Sequence, residues 1–176
     1  MTCHAQGHDI RRHFDLNLII SEIFHSIGWH PRAEVGHLIP EWPLARVDIL
    51  TQGNDTFTKP CGWDSSVTWP CGSASTPPGP PQSAGQACWQ RKMAKYHLAL
   101  ASKGIDFHPL IFETFGAPHP ETRDLLNIAI SHFRSLDRTS FISPNWAAAS
   151  PHQYWWQVLS VALMRANARK VLSLLS

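Results

Sequence analysis

The chain has 176 residues, of which 43% are hydrophobic and 16% charged, a composition that fits one globular domain and excludes an intrinsically disordered protein. The formal net charge of +2 is too small to indicate a nucleic-acid-binding protein by itself. The sequence contains no secretory signal and no apolar run of roughly 18 residues, so we expect a soluble intracellular protein that does not associate with membranes.

The first half of the chain is predicted to contain one helix and two strands. Residues 1–9 are interpreted as a disordered tail, and a broad apolar face predicts a helix over residues 10–27. Residues 33–39 and 45–51 have the alternation of β-strands. Residues 52–85 are rich in Gly and Pro and are predicted to form a long irregular loop, either an insertion or a substrate-facing flap.

The second half is predicted to be mainly helical. Helical periodicity returns over residues 86–103, and residues 107–115 are predicted to form a strand. Two further helices are predicted over residues 120–134 and 151–174, each beginning at or next to a proline. The order of elements predicts a single α/β domain over residues 10–176, in which helices pack on the faces of a sheet.

The four cysteines give no sign of a metal-binding motif. They lie at positions 3, 61, 71 and 88, with irregular spacings and no Cys-x-x-Cys pair. We interpret them as reduced thiols, with a disulfide between Cys61 and Cys71 as the alternative.

Asp48 is the most informative single residue. It lies in the apolar sequence Val47-Asp48-Ile49-Leu50, where a carboxylate is costly unless it is paired or bound to a cation. The alternative is a solvent-facing residue in ordinary strand alternation. Glu34, on the preceding strand, is a candidate to share one Mg²⁺ ion with Asp48, because Mg²⁺ prefers oxygen ligands. On its own, Glu34 is better explained as a surface residue.

A basic helix provides candidate phosphate contacts. Lys92 and Lys95 are three residues apart and therefore share a helix face. A lysine from this helix can stabilise charge on a scissile phosphate, although a solvated basic face also explains the pattern. Arg11, Arg12 and His13 at a helix start are unfavourable for the helix dipole, which favours a phosphate-binding role, although fraying of the helix end would also relieve it. The aromatic residues Trp146, Tyr154, Trp155 and Trp156 are suited to base stacking or, for those on the last helix, to core packing.

Six segments outside residues 52–85 form a recognisable series. They are Arg11-Arg12-His13, Pro40-Glu41-Trp42-Pro43-Leu44, Val47-Asp48-Ile49, Arg91-Lys92-Met93-Ala94-Lys95-Tyr96, Phe112-Glu113-Thr114-Phe115-Gly116 and Leu159-Ser160-Val161-Ala162-Leu163-Met164-Arg165-Ala166-Asn167-Ala168. Together, and in this order, they resemble the restriction-like endonuclease domain at the C-terminal end of non-LTR retrotransposon reverse-transcriptase proteins, in the versions found in algae and other protists.

The resemblance implies both a fold and an activity. The implied fold is the restriction-endonuclease-like PD-(D/E)xK architecture, a mixed sheet flanked by helices, here with a long irregular insertion and C-terminal helices. The implied activity is Mg²⁺-dependent (or Mn²⁺-dependent) nicking of target DNA in the nucleus, with the element RNA or a reverse transcriptase as further partners. Asp48 matches the family's second metal-binding acid, and Lys92 and Lys95 match its Lys-x-x-Lys-Tyr, which supplies the catalytic lysine from a helix. We assign nucleic-acid contacts to the following residues: Arg11, Arg12, His13, Arg91 and Tyr96.

The sequence departs from the family pattern at the first acid. Either Glu34 replaces the usual aspartate, or the strand that carries this aspartate has been deleted between Ile39 and Pro40. The family's Arg-His-Asn is also replaced by Arg12-His13-Phe14. The alternatives to an active nuclease are a relict domain, a non-catalytic nucleic-acid-binding module and a protein-interaction domain that uses the Trp-rich C-terminal helix.

Overall fold

A computed structural model describes residues 2–69, 84–135 and 148–175 of the chain. Its elements, in chain order, are α1 (Thr2–Ser26), β1 (Arg32–Gly36), β2 (Arg46–Thr51), β3 (Cys61–Thr68), α2 (Ala84–Ala101), β4 (Asp106–Glu113), α3 (Pro120–Ser135) and α4 (Pro151–Leu175). None of the helices in these ranges is long and apolar enough to span a lipid bilayer.

The four strands form one mixed sheet in the order β1-β2-β3-β4. Strands β1, β2 and β3 pair antiparallel, whereas β3 and β4 are parallel. A parallel pair requires a crossover connection, and α2 lies within this one. The prediction of an α/β protein with a mixed sheet flanked by helices is therefore confirmed.

Two hydrophobic clusters hold the helices on the sheet. The larger cluster joins α1, α3 and α4 to the sheet, and its members include Phe24, Trp63, Leu126 and Leu159. The smaller cluster packs α2 and the β1–β2 connection against the sheet, and Leu100 is one of its buried residues. The sheet is thus covered on both faces, which is why the inner strands are almost continuously buried.

The predicted element bounds agree with the structure to within two residues for β2, α2, β4, α3 and α4. Helix α1 already begins at Thr2, so it includes the segment interpreted as a tail. Strand β1 ends at Gly36, three residues before the predicted end. Cys61 and Cys88 are buried free thiols, and Cys71 lies outside the described residues.

Strand β3 lies inside the segment that was predicted to be an irregular loop, so that prediction was wrong for residues 61–68. The strand contains Gly62 and two serines, which have low β-propensity. It forms because it is a central strand that pairs with β2 on one side and with β4 on the other. Residues 70–83, the rest of the predicted loop before α2, lie outside the described part of the chain.

Candidate active site

Strands β2 and β3 stop pairing next to Asp48. The last backbone pair between them is Ile49 with Trp63. Beyond this pair, the Ser65 backbone N–H donates a hydrogen bond of 2.7 Å to the side-chain oxygen Asp48 Oδ2. The buried carboxylate of Asp48 is therefore held by the backbone of the neighbouring strand, at the point where the sheet opens.

A second buried carboxylate, Asp64, comes from β3 and is ion-paired with α2. Its Oδ2 lies 2.6 Å from Lys92 Nζ, and both side chains are more than four-fifths buried. Lys92 Nζ also donates to the Ser65 carbonyl oxygen at 3.4 Å. A hydrogen bond of 2.6 Å between two charged groups is strong, so Lys92 is held next to Asp64.

The two carboxyl groups are close enough to influence each other's protonation. Burial raises the pKa of Asp64 to about 6 despite the Lys92 ammonium, and the charge of Asp48 adds to the increase. Burial also opposes ionisation of Asp48, but hydrogen bonds from His13, Asp64 and the Ser65 N–H together hold its pKa below the ordinary value. Because the two carboxylates repel each other, their protonation is coupled, and Asp64 takes up a proton more readily than Asp48.

His13, on α1, closes the other side of this pair. Its Nε2 lies 3.1 Å from Asp48 Oδ1, and its Nδ1 lies 3.2 Å from Ser65 Oγ. Asn17, one turn further along α1, accepts a hydrogen bond of 2.6 Å from Ser65 Oγ and also contacts the His13 ring. The hydrogen bond to Asp48 raises the pKa of His13, against the opposing effect of burial.

Glu34 lies at the exposed rim of the site. It stands between the β1–β2 pairs Ala33–Ile49 and Val35–Val47, opposite Asp48. Its side chain forms an exposed ion pair with Arg46 at 3.2 Å. Three possible metal-ligand atoms lie within 4.8 Å of one another, one each from Glu34, His13 and Asp48. The structure therefore brings together Glu34 and Asp48, the two residues that the sequence suggested as metal ligands.

Lys95 and Tyr96 lie on a different part of α2. Lys95 Nζ is 4.8 Å from the ring centroids of both Trp42 and Tyr96. Tyr96 in turn stacks on Trp42 with a centroid distance of 5.3 Å. These residues pack α2 against the β1–β2 connection, so Lys92 is the lysine of the predicted pair that lies beside the carboxylates.

The predicted nucleic-acid contacts are distributed over two helices. Arg11 is exposed on α1, whereas Arg12 donates a hydrogen bond of 3.2 Å to Asn167 Oδ1 on α4. Arg91 is exposed on α2 and contacts Cys88 Sγ at 3.4 Å.

The aromatic residues that were considered for base stacking contribute mainly to packing. Trp155 is buried in the larger cluster, and Tyr154 packs against it half-buried. Trp156 Nε1 donates a hydrogen bond of 3.0 Å to Asn127 Oδ1. Trp146 lies outside the described residues.

Sequence analysis missed Asp64, Ser65 and Asn17. Asp64 and Ser65 belong to the strand that was predicted to be a loop, and Asn17 lies on a helix that otherwise shows an apolar face. The available signal for Asp64 was weak, an acid next to Trp63 in a segment without clear alternation. Its role depends on the pairing of β3 with β2, which no local pattern reveals.

Comparison with known proteins does not identify the chain. No known protein family matches the sequence, and no curated protein is significantly similar to it. Any functional assignment therefore depends on the geometry of the site, which consists of two coupled buried carboxylates, a lysine ion-paired with one of them and a histidine hydrogen-bonded to the other.

Proposed function

We propose that this protein is a metal-dependent DNA endonuclease domain of the PD-(D/E)xK type, in which Asp48 and Asp64 bind the metal and Lys92 contacts the scissile phosphate. One observation carries the proposal. Two buried carboxylates from adjacent strands meet where these strands separate, with Lys92 Nζ 2.6 Å from one of them. The mixed sheet with helices on both faces supports the same architecture.

The position of Asp64 changes the expected order of the acids. The resemblance implied that Asp48 is the second acid and that the first is Glu34 or has been lost with a deleted strand. In our proposal Asp48 is the first acid and Asp64 the second. No deletion after Ile39 is then required, because the chain turns there, with the Trp42 N–H donating to the Ile39 carbonyl at 2.9 Å.

The residues at the site fit a hard divalent cation. Asp48 and Glu34 offer carboxylate oxygens that lie close together, beside His13. The buried carboxyl of Asp64 offers a third, and carboxylate oxygens suit Mg²⁺ or Mn²⁺. Burial, and to a smaller extent the charge of Asp48, raise the pKa of Asp64, and a bound dication would favour its ionised form. When bound, such an ion would polarise the phosphodiester and lower the pKa of a coordinated water.

The other side chains have separable roles in this proposal. Lys92, fixed by Asp64 and the Ser65 carbonyl, places its ammonium where charge develops on the phosphate. His13 and the Ser65 N–H each bind one oxygen of Asp48 and thereby orient its carboxylate. His13 is therefore a positioning residue, since it acts through Asp48.

Plasmid nicking tests the proposal. The purified protein should convert supercoiled plasmid into the open circular form with Mg²⁺ or Mn²⁺, and it should not do so in EDTA. Asp48→Asn and Asp64→Asn should each lower the nicking rate roughly 100-fold or more, as removal of a catalytic electrostatic group does. Lys92→Ala should act in the same direction.

Matched controls separate the site from general charge effects. Asp106→Asn removes a half-exposed acid that is ion-paired with Lys59, and Lys95→Ala removes the lysine that lies over the Trp42 ring. Both variants should nick at nearly the wild-type rate. Nicking that survives Asp48→Asn would contradict the site, and salt-sensitive DNA binding without cleavage under either metal would indicate the non-catalytic binding module instead.

A further inference from the structure

An open groove of about 700 Å³ lies on the α1 side of the sheet. Its apolar lining comes from β3 and α4, and includes Val67, Met164 and Val171. Two aromatic residues, Trp69 and Phe115, also line the groove. The volume is in the range of pockets that take up small organic ligands, roughly 300–1,000 Å³.

The two aromatic rings are exposed although they touch each other. Trp69 and Phe115 are 57% and 72% exposed, and their ring centroids lie 5.6 Å apart. Each ring therefore keeps a large area accessible to solvent. Exposed aromatic surface that is collected in a groove indicates a binding site more often than a structural role.

The charge at the groove is positive. Arg12 and Lys170 contribute to its lining, and no acidic side chain of the described residues does so. Arg12 is held by its hydrogen bond to Asn167, whose side-chain amide donates to the Thr114 carbonyl. These bonds tie α1, α4 and the end of β4 together, so the walls of the groove are fixed relative to one another.

The groove adjoins the candidate active site. Arg12 directly precedes His13, which binds Asp48. Val67 follows Ser65 by two residues on the same strand, so the two side chains point to the same face and are about 7 Å apart along β3. The groove therefore lies next to the His13–Ser65 side of the site, on the sheet face that carries α1.

We propose that this groove binds an unpaired nucleotide of the DNA substrate, with its base against Trp69 and Phe115 and its flanking phosphates near Arg12 and Lys170. Aromatic faces bind unpaired bases without regard to sequence, because every base presents a π-face. A base inside a duplex has its faces covered by its neighbours, so it must leave the stack to enter such a groove. The inference rests on the proposed function and names the form of DNA that the site takes.

Binding of short oligonucleotides in EDTA tests this inference independently of cleavage. We would measure the fluorescence anisotropy of a labelled oligothymidylate and of an abasic oligomer of the same length. The wild-type protein should bind the oligothymidylate roughly tenfold more tightly, since stacking of even one base has an effect of this size. Trp69→Ala and Phe115→Ala should each reduce this difference, whereas Lys170→Ala should weaken the binding of both oligomers and reduce their salt dependence.

Leu98→Ala serves as the matched control, because Leu98 is 80% exposed on α2 and does not line the groove. Circular dichroism would confirm that each variant is folded. Equal affinity for the two oligomers, no binding of either at low salt, or a difference that persists in both aromatic variants would overturn the inference. If the groove showed no preference for bases while Asp48→Asn still abolished nicking, the inference would fail and the proposed function would stand. If the protein bound bases through the groove but never nicked DNA, the groove would stand as a binding site and the proposed nuclease activity would fail.

Discussion

At the scale of single residues, the contact between His13 and Asp48 sets the charge of the candidate site. His13 faces Asp48 directly and also lies in the field of Asp64 and Lys92. The hydrogen bond to Asp48 is the largest influence on the pKa of His13, and it raises this pKa. An imidazolium in this position would compensate part of the negative charge that a metal ion neutralises in our proposal.

Replacing Asp48 should therefore lower the pKa of His13. In the Asp48→Asn variant the carboxylate charge disappears, and burial, which lowers the pKa of His13, acts with less opposition. A titration of the histidine Cε1–H signals by NMR would measure the change, with Asp106→Asn as a control on the far end of the sheet. An unchanged His13 titration in the Asp48→Asn variant would contradict the contact.

Some residues of the site could be predicted from the sequence and others could not. Asp48 could be predicted because its flanking residues, Val47 and Ile49, already indicated a buried strand. Helical spacing and the resemblance both selected the pair Lys92 and Lys95, but not which of the two lies beside the carboxylates. Asp64 could not be predicted, because its burial results from strand pairing and from the ion pair with α2, which are contacts between distant parts of the chain.

At the scale of elements, the connection between β2 and β3 determines whether the two carboxylates meet. Asn54 organises this connection, since its Oδ1 accepts hydrogen bonds of 2.8 Å from the backbone N–H groups of Thr56 and Phe57. Its own N–H donates to the Phe57 carbonyl at 2.6 Å. Such local bonds by an Asn side chain stabilise a tight turn, which returns the chain as β3 beside β2.

Gly53 is required for this turn because no side chain fits at its position. An added Cβ would lie 2.6 Å from the Thr58 carbonyl oxygen, and this oxygen belongs to the backbone and cannot rotate away. Gly53→Ala should therefore lower the free energy of unfolding by about 1–3 kcal/mol, the usual cost of a forced backbone shift. Urea denaturation would measure this loss of stability. Gln52→Ala, at the exposed neighbouring residue, is the control. Equal urea midpoints for the two variants would refute the steric argument.

The helices could be predicted well from the sequence and the central strand could not. Amphipathic periodicity is a local signal, and it located α2, α3 and α4 to within two residues. Strand β3 lacks such a signal because both of its faces are covered and because it includes Gly62. Packing explains the glycine at this position, because an added Cβ would lie 3.1 Å from Val47 Cγ1.

At the scale of the whole molecule, the half-buried side chain of His108 packs against aromatic residues of the larger core. Its ring lies 4.7 Å from that of Trp63 and 5.4 Å from that of Phe57, measured between centroids. Its Nε2 is buried and has no hydrogen-bond partner among the described residues. Burial lowers the pKa of His108 to about 4, so the folded protein keeps this imidazole neutral.

This histidine should make the folded protein sensitive to acid. The unfolded chain binds the proton near the ordinary pKa of 6.5, whereas the folded chain binds it only near pH 4. The stability is therefore complete above about pH 6.5 and is lost as the pH falls towards 4, by about 3 kcal/mol in total. His108→Phe keeps an aromatic ring against Trp63 and removes the titration, so its unfolding free energy should fall less over this range.

Urea denaturation of the wild type and of His108→Phe at several pH values between 7 and 4 would measure this difference. Asp64, whose pKa is raised, titrates in the same range, but it does so in both proteins and cancels when their pH dependences are subtracted. Parallel pH dependences in the two proteins would show that His108 is accessible to protons in the folded state. The core around Trp63 would then be open to water.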